Sequence, residues 1–152
     1  MATKYYQGKF IPRNPEKYIG DLNNIVYRSS WELKFMTFCD NNPSVLSYNS
    51  EECVIPYICG TDNRPHRYFI DFVIKYKTNS GEIKTAIVEI KPEAQTKSPQ
   101  MAKRKTQKSQ ARYLQECNTY IKNQSKWAAA TKYAKERGIE FMILTETSLG
   151  IK

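Results

Sequence analysis

A chain of 152 residues fits one domain, long enough to bury most of the surface that its unfolded form exposes. Hydrophobic residues make up 40% of it, which excludes wholesale disorder, and no apolar run approaches the roughly 18 residues needed to cross a bilayer. The 24 Lys and Arg outnumber the 15 Asp and Glu, for a formal net charge of +9; that balance favours a polyanionic partner, nucleic acid or an anionic membrane, and says nothing about fold.

The first residues, Met-Ala-Thr-Lys-Tyr-Tyr-Gln, lack the apolar core of a signal peptide, so a cytoplasmic address is expected. Residues 1–26 are rich in Pro, Gly, Asn, Tyr and Lys without sustained periodicity. They are expected to form an irregular basic arm, packed partly through Tyr5, Tyr6, Phe10 and Tyr18, ahead of one domain over 27–152. Tyr27, Trp31, Phe35 and Phe38 recur at spacings of three and four and predict a helix with those side chains on one face. Ser29-Ser30-Trp31-Glu32 has the form of a capping box, and Asn41-Asn42-Pro43 ends the segment.

Three strands are predicted next: Cys53 to Ile58, Arg67 to Tyr76 and Ile83 to Ile90, with turn clusters at Gly60–Pro65 and Thr78–Gly81. Between Ala94 and Gln115 the charged residues are Lys97, Lys103, Arg104, Lys105, Lys108 and Arg112, with no acid among them. One helix then carries Tyr113, Leu114, Cys117, Tyr120 and Ile121 on one face. Asn123 or Ser125 reads as the cap of another, running through Trp127, Ala130, Tyr133 and Ala134 to Arg137, where Gly138 stops it. Ile139 to Thr145 is a final strand. The order predicts an α/β fold, a mixed sheet with helices packed on it.

Chemistry is expected where the strand pattern is violated. Asp71 interrupts the apolar run Tyr68-Phe69-Ile70-Asp71-Phe72-Val73-Ile74, and Glu89 and Lys91, two apart, share a face of the next strand. Ionised groups in such surroundings are costly unless paired or bound to a metal. A three-residue loop Asn79-Ser80-Gly81, with Gly81 at positive φ, sets Asp71 opposite Glu89 with Cβ atoms roughly 5 Å apart. A two-residue loop would send them to opposite faces. Two carboxylates that close suit Mg²⁺, with Mn²⁺ able to substitute, and Lys91 beside them would act on a water or on charge at phosphorus. The competing explanation is a cross-strand salt bridge. For the cysteines (Cys39, Cys53, Cys59, Cys117), free thiols are the simplest reading; a zinc site from Cys53, Cys59 and His66 has unfamiliar spacing and lacks a fourth ligand.

Asp71, seventeen residues, then Glu89-Ile90-Lys91 resembles the signature of the PD-(D/E)xK nuclease superfamily, with Ile70 where proline usually stands. The resemblance implies a restriction-endonuclease-like αβββαβ core and a metal site that a first-helix carboxylate, here Glu32, completes. Glu32 is equally explained as a helix cap. The segments Tyr27-Arg28-Ser29-Ser30-Trp31-Glu32-Leu33, Arg67-Tyr68-Phe69-Ile70-Asp71-Phe72, Val88-Glu89-Ile90-Lys91-Pro92 and Lys126-Trp127-Ala128-Ala129-Ala130 resemble the head-completion nucleases of large contractile-tailed phages. That likeness implies phage head or neck partners, a late role before tail attachment, and a place in the infected host cell or the virion.

The basic stretch Lys97, Lys103, Arg104, Lys105, Lys108 and Arg112 would then be the face that meets the DNA backbone, with His66 and Arg67 as further phosphate contacts; otherwise it is a solvated surface. The alternatives to a metal-dependent DNA endonuclease are a DNA-binding structural head or neck protein on the same fold, and a Holliday-junction-type resolvase.

Overall fold

The computed structural model describes residues 7–150; Tyr5 and Tyr6 lie outside them. In chain order come β1 (Gly8–Lys9), β2 (Val26–Tyr27), α1 (Ser30–Asn41), β3 (Val45–Ser50), β4 (Val54–Cys59), β5 (Arg64–Phe69), β6 (Phe72–Lys77), β7 (Ile83–Ile90), α2 (Gln107–Arg137) and β8 (Glu140–Leu144). The central sheet has the strand order β3-β6-β7-β8. Its first three strands are antiparallel and β8 joins β7 in parallel, a connection that α2 spans as a crossover. The expected αβββαβ core is therefore α1, β3, β6, β7, α2, β8. Hairpin β4–β5, a separate two-stranded sheet, is inserted after the first core strand.

The sheet divides the core. Phe72, Ile74, Val88 and Ile90 face α1, where they meet Phe35, Met36 and Cys39. Ile87 and the partly buried Val73 face α2, and together with Ile55, Tyr57, Tyr68 and Ile70 they enclose Trp127, Ala130 and Ala134. Because both faces are covered, Ala86 to Ile90 are buried without alternation, and Glu89 is the one ionisable residue in that run.

Several sequence expectations change. The run Arg67 to Tyr76 is not one strand: it breaks at Ile70-Asp71, with β5 paired to β4 and β6 paired to β3 and β7. A continuous apolar run cannot show that the chain changes partners midway. Strand β3, rich in Ser and Asn, escaped the apolar pattern. Helix α1 starts at Ser30, so Tyr27 lies in β2 and Phe38 is exposed, while the buried face is Phe35, Met36 and Cys39. The two helices expected after residue 107 are one helix of 31 residues. Asn123 is buried within it, and Ser125 bonds back to the Ile121 carbonyl at 2.9 Å while accepting from Gly60 N at 3.0 Å. Ser125 meets a tertiary partner and Asn123 is simply buried, and a capping pattern distinguishes neither from a helix start.

Residues 7–26 are tied down by a buried acid. The Asp40 carboxylate accepts from Arg13 N (2.9 Å), Asn14 N (3.2 Å) and Tyr48 Oη (3.1 Å). Lys17 Nζ caps the end of α1 through the carbonyls of Cys39, Asp40 and Asn42, and Tyr18 and Ile25 are buried in the core.

The β6–β7 hairpin has the register that a loop centred on Ser80 requires: Lys77 pairs with Ile83 and Phe72 with Val88. Gly81 stands at φ 86°, and a Cβ there would meet only Lys77 Cε, at 3.9 Å. The cost of a side chain is thus conformational rather than steric. Gly81→Ala is expected to destabilise by about 1–2 kcal/mol, read as a lower urea midpoint with an unchanged slope.

Candidate active site

The break between β5 and β6 places the first carboxylate. Continuing the β6–β7 register one step past Phe72–Val88 brings Asp71 opposite Glu89. Asp71 is pinned there: its backbone carbonyl accepts from Glu51 N at 3.1 Å and its carboxylate from Ile90 N at 2.8 Å. Glu89 is 3% exposed and takes the indole N–H of Trp127 at 3.3 Å. Lys91 Nζ stands 4.0 Å from Glu89 Oε2 and keeps some contact with solvent. Asp71, Glu89 and Lys91 are therefore brought together, on the α2 side of the sheet.

This surrounding is hostile to two negative charges. Burial, then the charge of Glu89, pushes the Asp71 carboxyl well above its ordinary range, and Glu32 adds to the same effect. One lysine at 4.0 Å does not offset that. The Tyr68 hydroxyl is buried without a hydrogen-bond partner; burial and then the Glu89 charge push its phenol upward. Two neighbouring carboxylates with an orphaned hydroxyl beside them are a donor set that fits a hard divalent cation.

The Glu32 backbone N–H donates to Ser29 Oγ at 3.1 Å, so Ser29 caps the helix, but the Glu32 carboxylate reaches back to Arg28 N and Ser29 Oγ, each at 3.4 Å, rather than to Ser29 N, and the capping box is only half made. The contacts are long, and the carboxyl is half-buried close enough to Asp71 for its charge to be felt there. Burial, and then nearby Glu51, raise the Glu32 pKa.

Three participants were missed by sequence reasoning. Glu51, at φ 56°, holds Arg28 with Nε–Oε1 2.9 Å and Nη2–Oε2 3.2 Å at the rim of the site. Lys126, half-buried, lies over the Tyr68 ring at 5.3 Å; burial, then the charge of Lys91, lower its pKa, while Glu89 and Asp71 oppose that shift. Trp127 reads as core and is core, yet its N–H is what orients Glu89. A buried indole needs an acceptor, and that was the available signal.

The residues expected at a phosphate face are spread more widely. Lys97 and Arg112 line one cleft of about 390 Å³ between the segment after β7 and α2, with Tyr120 and the buried Asn123, whose Nδ2 has no partner. Lys103, Arg104 and Lys105 are exposed before α2, and Lys108 is exposed in its first turn. His66 is engaged by Asp62 at 2.8 Å, and Arg67, on the other face of β5, covers the Phe69 ring.

A carboxyl whose pKa is raised by folding holds protons in the native state that the unfolded state has released. Stability of the metal-free protein therefore falls as pH rises from the ordinary value toward the raised one. Asp71→Asn removes this liability and keeps an acceptor for Ile90 N–H. In chelator near pH 7 the variant is expected to melt above the parent, with the gap closing as pH falls toward about 4. Equal or lower melting near pH 7 would show that the protein itself compensates the Asp71 charge.

Comparison with known proteins agrees with this fold. The profile of the TnsA-like endonuclease N-terminal family matches residues 42–146, which span every core strand, hairpin β4–β5 and α2. The head completion nuclease of Enterobacteria phage T4 is 41% identical over 144 residues, covering 95% of this chain and 93% of that protein. No solved structure gives a significant match. With the αβββαβ core in place and both matches spanning the Asp71–Glu89–Lys91 hairpin, the chain belongs to the TnsA-like endonuclease family, of restriction-endonuclease-like fold.

Proposed function

We propose that this protein is a magnesium-dependent DNA endonuclease acting in phage head completion, with Asp71, Glu89 and Lys91 as its catalytic residues. The observation that supports it most is the convergence of Asp71, Glu89 and Lys91 on one hairpin in a member of an endonuclease family. The phage role rests on likeness to the T4 protein alone.

In this reading Asp71 and Glu89 hold the cation, with Glu32 as a third carboxylate toward it. A bound Mg²⁺ polarises the scissile phosphate and lowers the pKa of a water. Trp127 keeps Glu89 from rotating, and Ile90 N–H does the same for Asp71. Lys91 orients the attacking water and offsets negative charge that grows on the phosphoryl oxygens, where a positioned cation acts most strongly. Lys126, half-buried beside Lys91, supplies a second positive charge for the phosphate.

DNA is held by Lys97, Lys103, Arg104, Lys105, Lys108 and Arg112, with His66 and Arg67 at the periphery. Contacts of this kind neutralise backbone charge and read no sequence.

Cleavage of supercoiled and linear DNA is expected with Mg²⁺ or Mn²⁺ and absent in EDTA. Lys91→Ala is expected to lower the cleavage rate on the order of 10²- to 10³-fold with DNA affinity nearly unchanged, since it is one cation among 24 Lys and Arg. Cleavage by Lys91→Ala at the parental rate would remove Lys91 from the catalytic set, whereas rescue of particle assembly by a cleavage-dead Lys91→Ala would make the essential role structural. Replacing Lys103, Arg104 and Lys105 together with Ala is expected to flatten the slope of log K against log salt by up to about 2.7 units, at ~0.9 per lost phosphate contact. An unchanged slope would place the DNA elsewhere.

A further inference from the structure

Hairpin β4–β5 stands outside the central sheet, and a two-stranded hairpin by itself is marginally stable. Its face toward α2 carries Ile55, Tyr57 and Cys59 on one strand and His66 and Tyr68 on the other, with Tyr57 opposite His66 and Ile55 opposite Tyr68. At the turn, Asn63 at φ 55° returns its N–H to the Cys59 carbonyl at 2.7 Å. That folds Asp62 back between the strands, where its carboxylate accepts from Arg64 N at 3.0 Å and meets His66 Nε2 at 2.8 Å. Cys59 Sγ, 3.0 Å from Thr61 Oγ1, completes a group with Asp62 and His66 in which one ligand atom from each lies within 4.8 Å of the others.

We propose that Cys59, Asp62 and His66 form a zinc site, three protein ligands with water in the fourth position, that clamps the tip of this hairpin. Tetrahedral zinc with bonds of about 2.0–2.3 Å places neighbouring ligand atoms roughly 3.4–3.8 Å apart, which the three side chains reach by small rotations. Thiolate, imidazole and carboxylate together select zinc over magnesium, in contrast to the all-oxygen set at Asp71 and Glu89. Cys59 loses its thiol proton to solvent on binding, leaving thiolate, carboxylate and neutral imidazole to balance the dication. The spacing Cys-x2-Asp-x3-His was hidden in the sequence because Asp62 reads as an ordinary turn residue. Cys53, the partner that sequence alone suggested, points instead at Tyr133 Oη, 3.7 Å away. The clamp fixes the strand that carries Tyr68, two residues beyond His66 on the same face and against Glu89.

Cobalt titration of the chelator-treated, fully reduced chain tests this. One equivalent of Co²⁺ is expected to produce a thiolate-to-cobalt charge-transfer band in the near ultraviolet, which Zn²⁺ removes. The band is expected to vanish in Cys59→Ser and to need at least about tenfold more Co²⁺ in His66→Ala, the loss that even an outer partner of a metal site causes. It should persist in Asp71→Asn, Cys53→Ser and Cys117→Ser. Zn²⁺ should raise the melting temperature of the parent but not that of His66→Ala, whose partly exposed side chain can be removed without a core defect. Absence of the band in the parent, or its survival in Cys59→Ser, overturns the site.

Discussion

Two carboxylates, Asp71 and Glu89, are held face to face in a nearly dry part of this protein, and most of the molecule is arranged around that unfavourable pairing. Burial raises the proton affinity of Asp71, and the charge of Glu89 raises it further. The fold keeps them there with directed donors: Ile90 N–H for Asp71 and the Trp127 indole for Glu89. Each donor belongs to an element that is fixed for other reasons, one a core strand and the other the long helix. The strain of the pair is thus spread over the packing of the sheet and α2.

The same constraint explains why the chain changes sheets at Ile70-Asp71. Strand β5 belongs to the inserted hairpin, whereas β6 is the centre of the main sheet. At the junction Asp71 is freed from one ladder and not yet bound into the next, so its side chain can turn toward Glu89 while its carbonyl is taken by Glu51 N. Glu51 adopts a left-handed conformation to do so, a local cost that Arg28 offsets with a two-point ion pair. Rim, junction and hairpin are one mechanical unit.

Helix α2 links this unit to the basic face. Its single 31-residue course runs from Lys108 and Arg112 to Lys126 and Trp127, so two of the proposed phosphate contacts and the group that orients Glu89 share one rigid body. Had the chain broken at Asn123, as its polar residues suggested, the two would have been free to move independently. Ser125, back-bonded to Ile121, also accepts from Gly60 N and so attaches hairpin β4–β5 to the helix.

Core strand β3 went unseen in the sequence, and the αβββαβ core was implied by the family resemblance. The local pattern of residues was enough to find α1, β7, β8, the caps at Ser29 and Gly138, the Gly81 turn and the register that sets Asp71 against Glu89. All of these depend on neighbours in the chain: a charge in an apolar run, a parity of two, a turn that needs positive φ. Sequence left Glu32 open between cap and cation ligand. The structure shows it reaching its own helix end with long contacts while lying close enough to act on Asp71. Glu51, Lys126 and the grouping of Asp62 with Cys59 and His66 gave no local signal, because each acquires its significance from a partner on another element. The break of one apolar run into β5 and β6, the exposure of Phe38 and the continuity of α2 were likewise decided by what packs against them. Periodicity records how a residue relates to its own strand or helix. Which face is covered, and by what, is settled only when the elements meet.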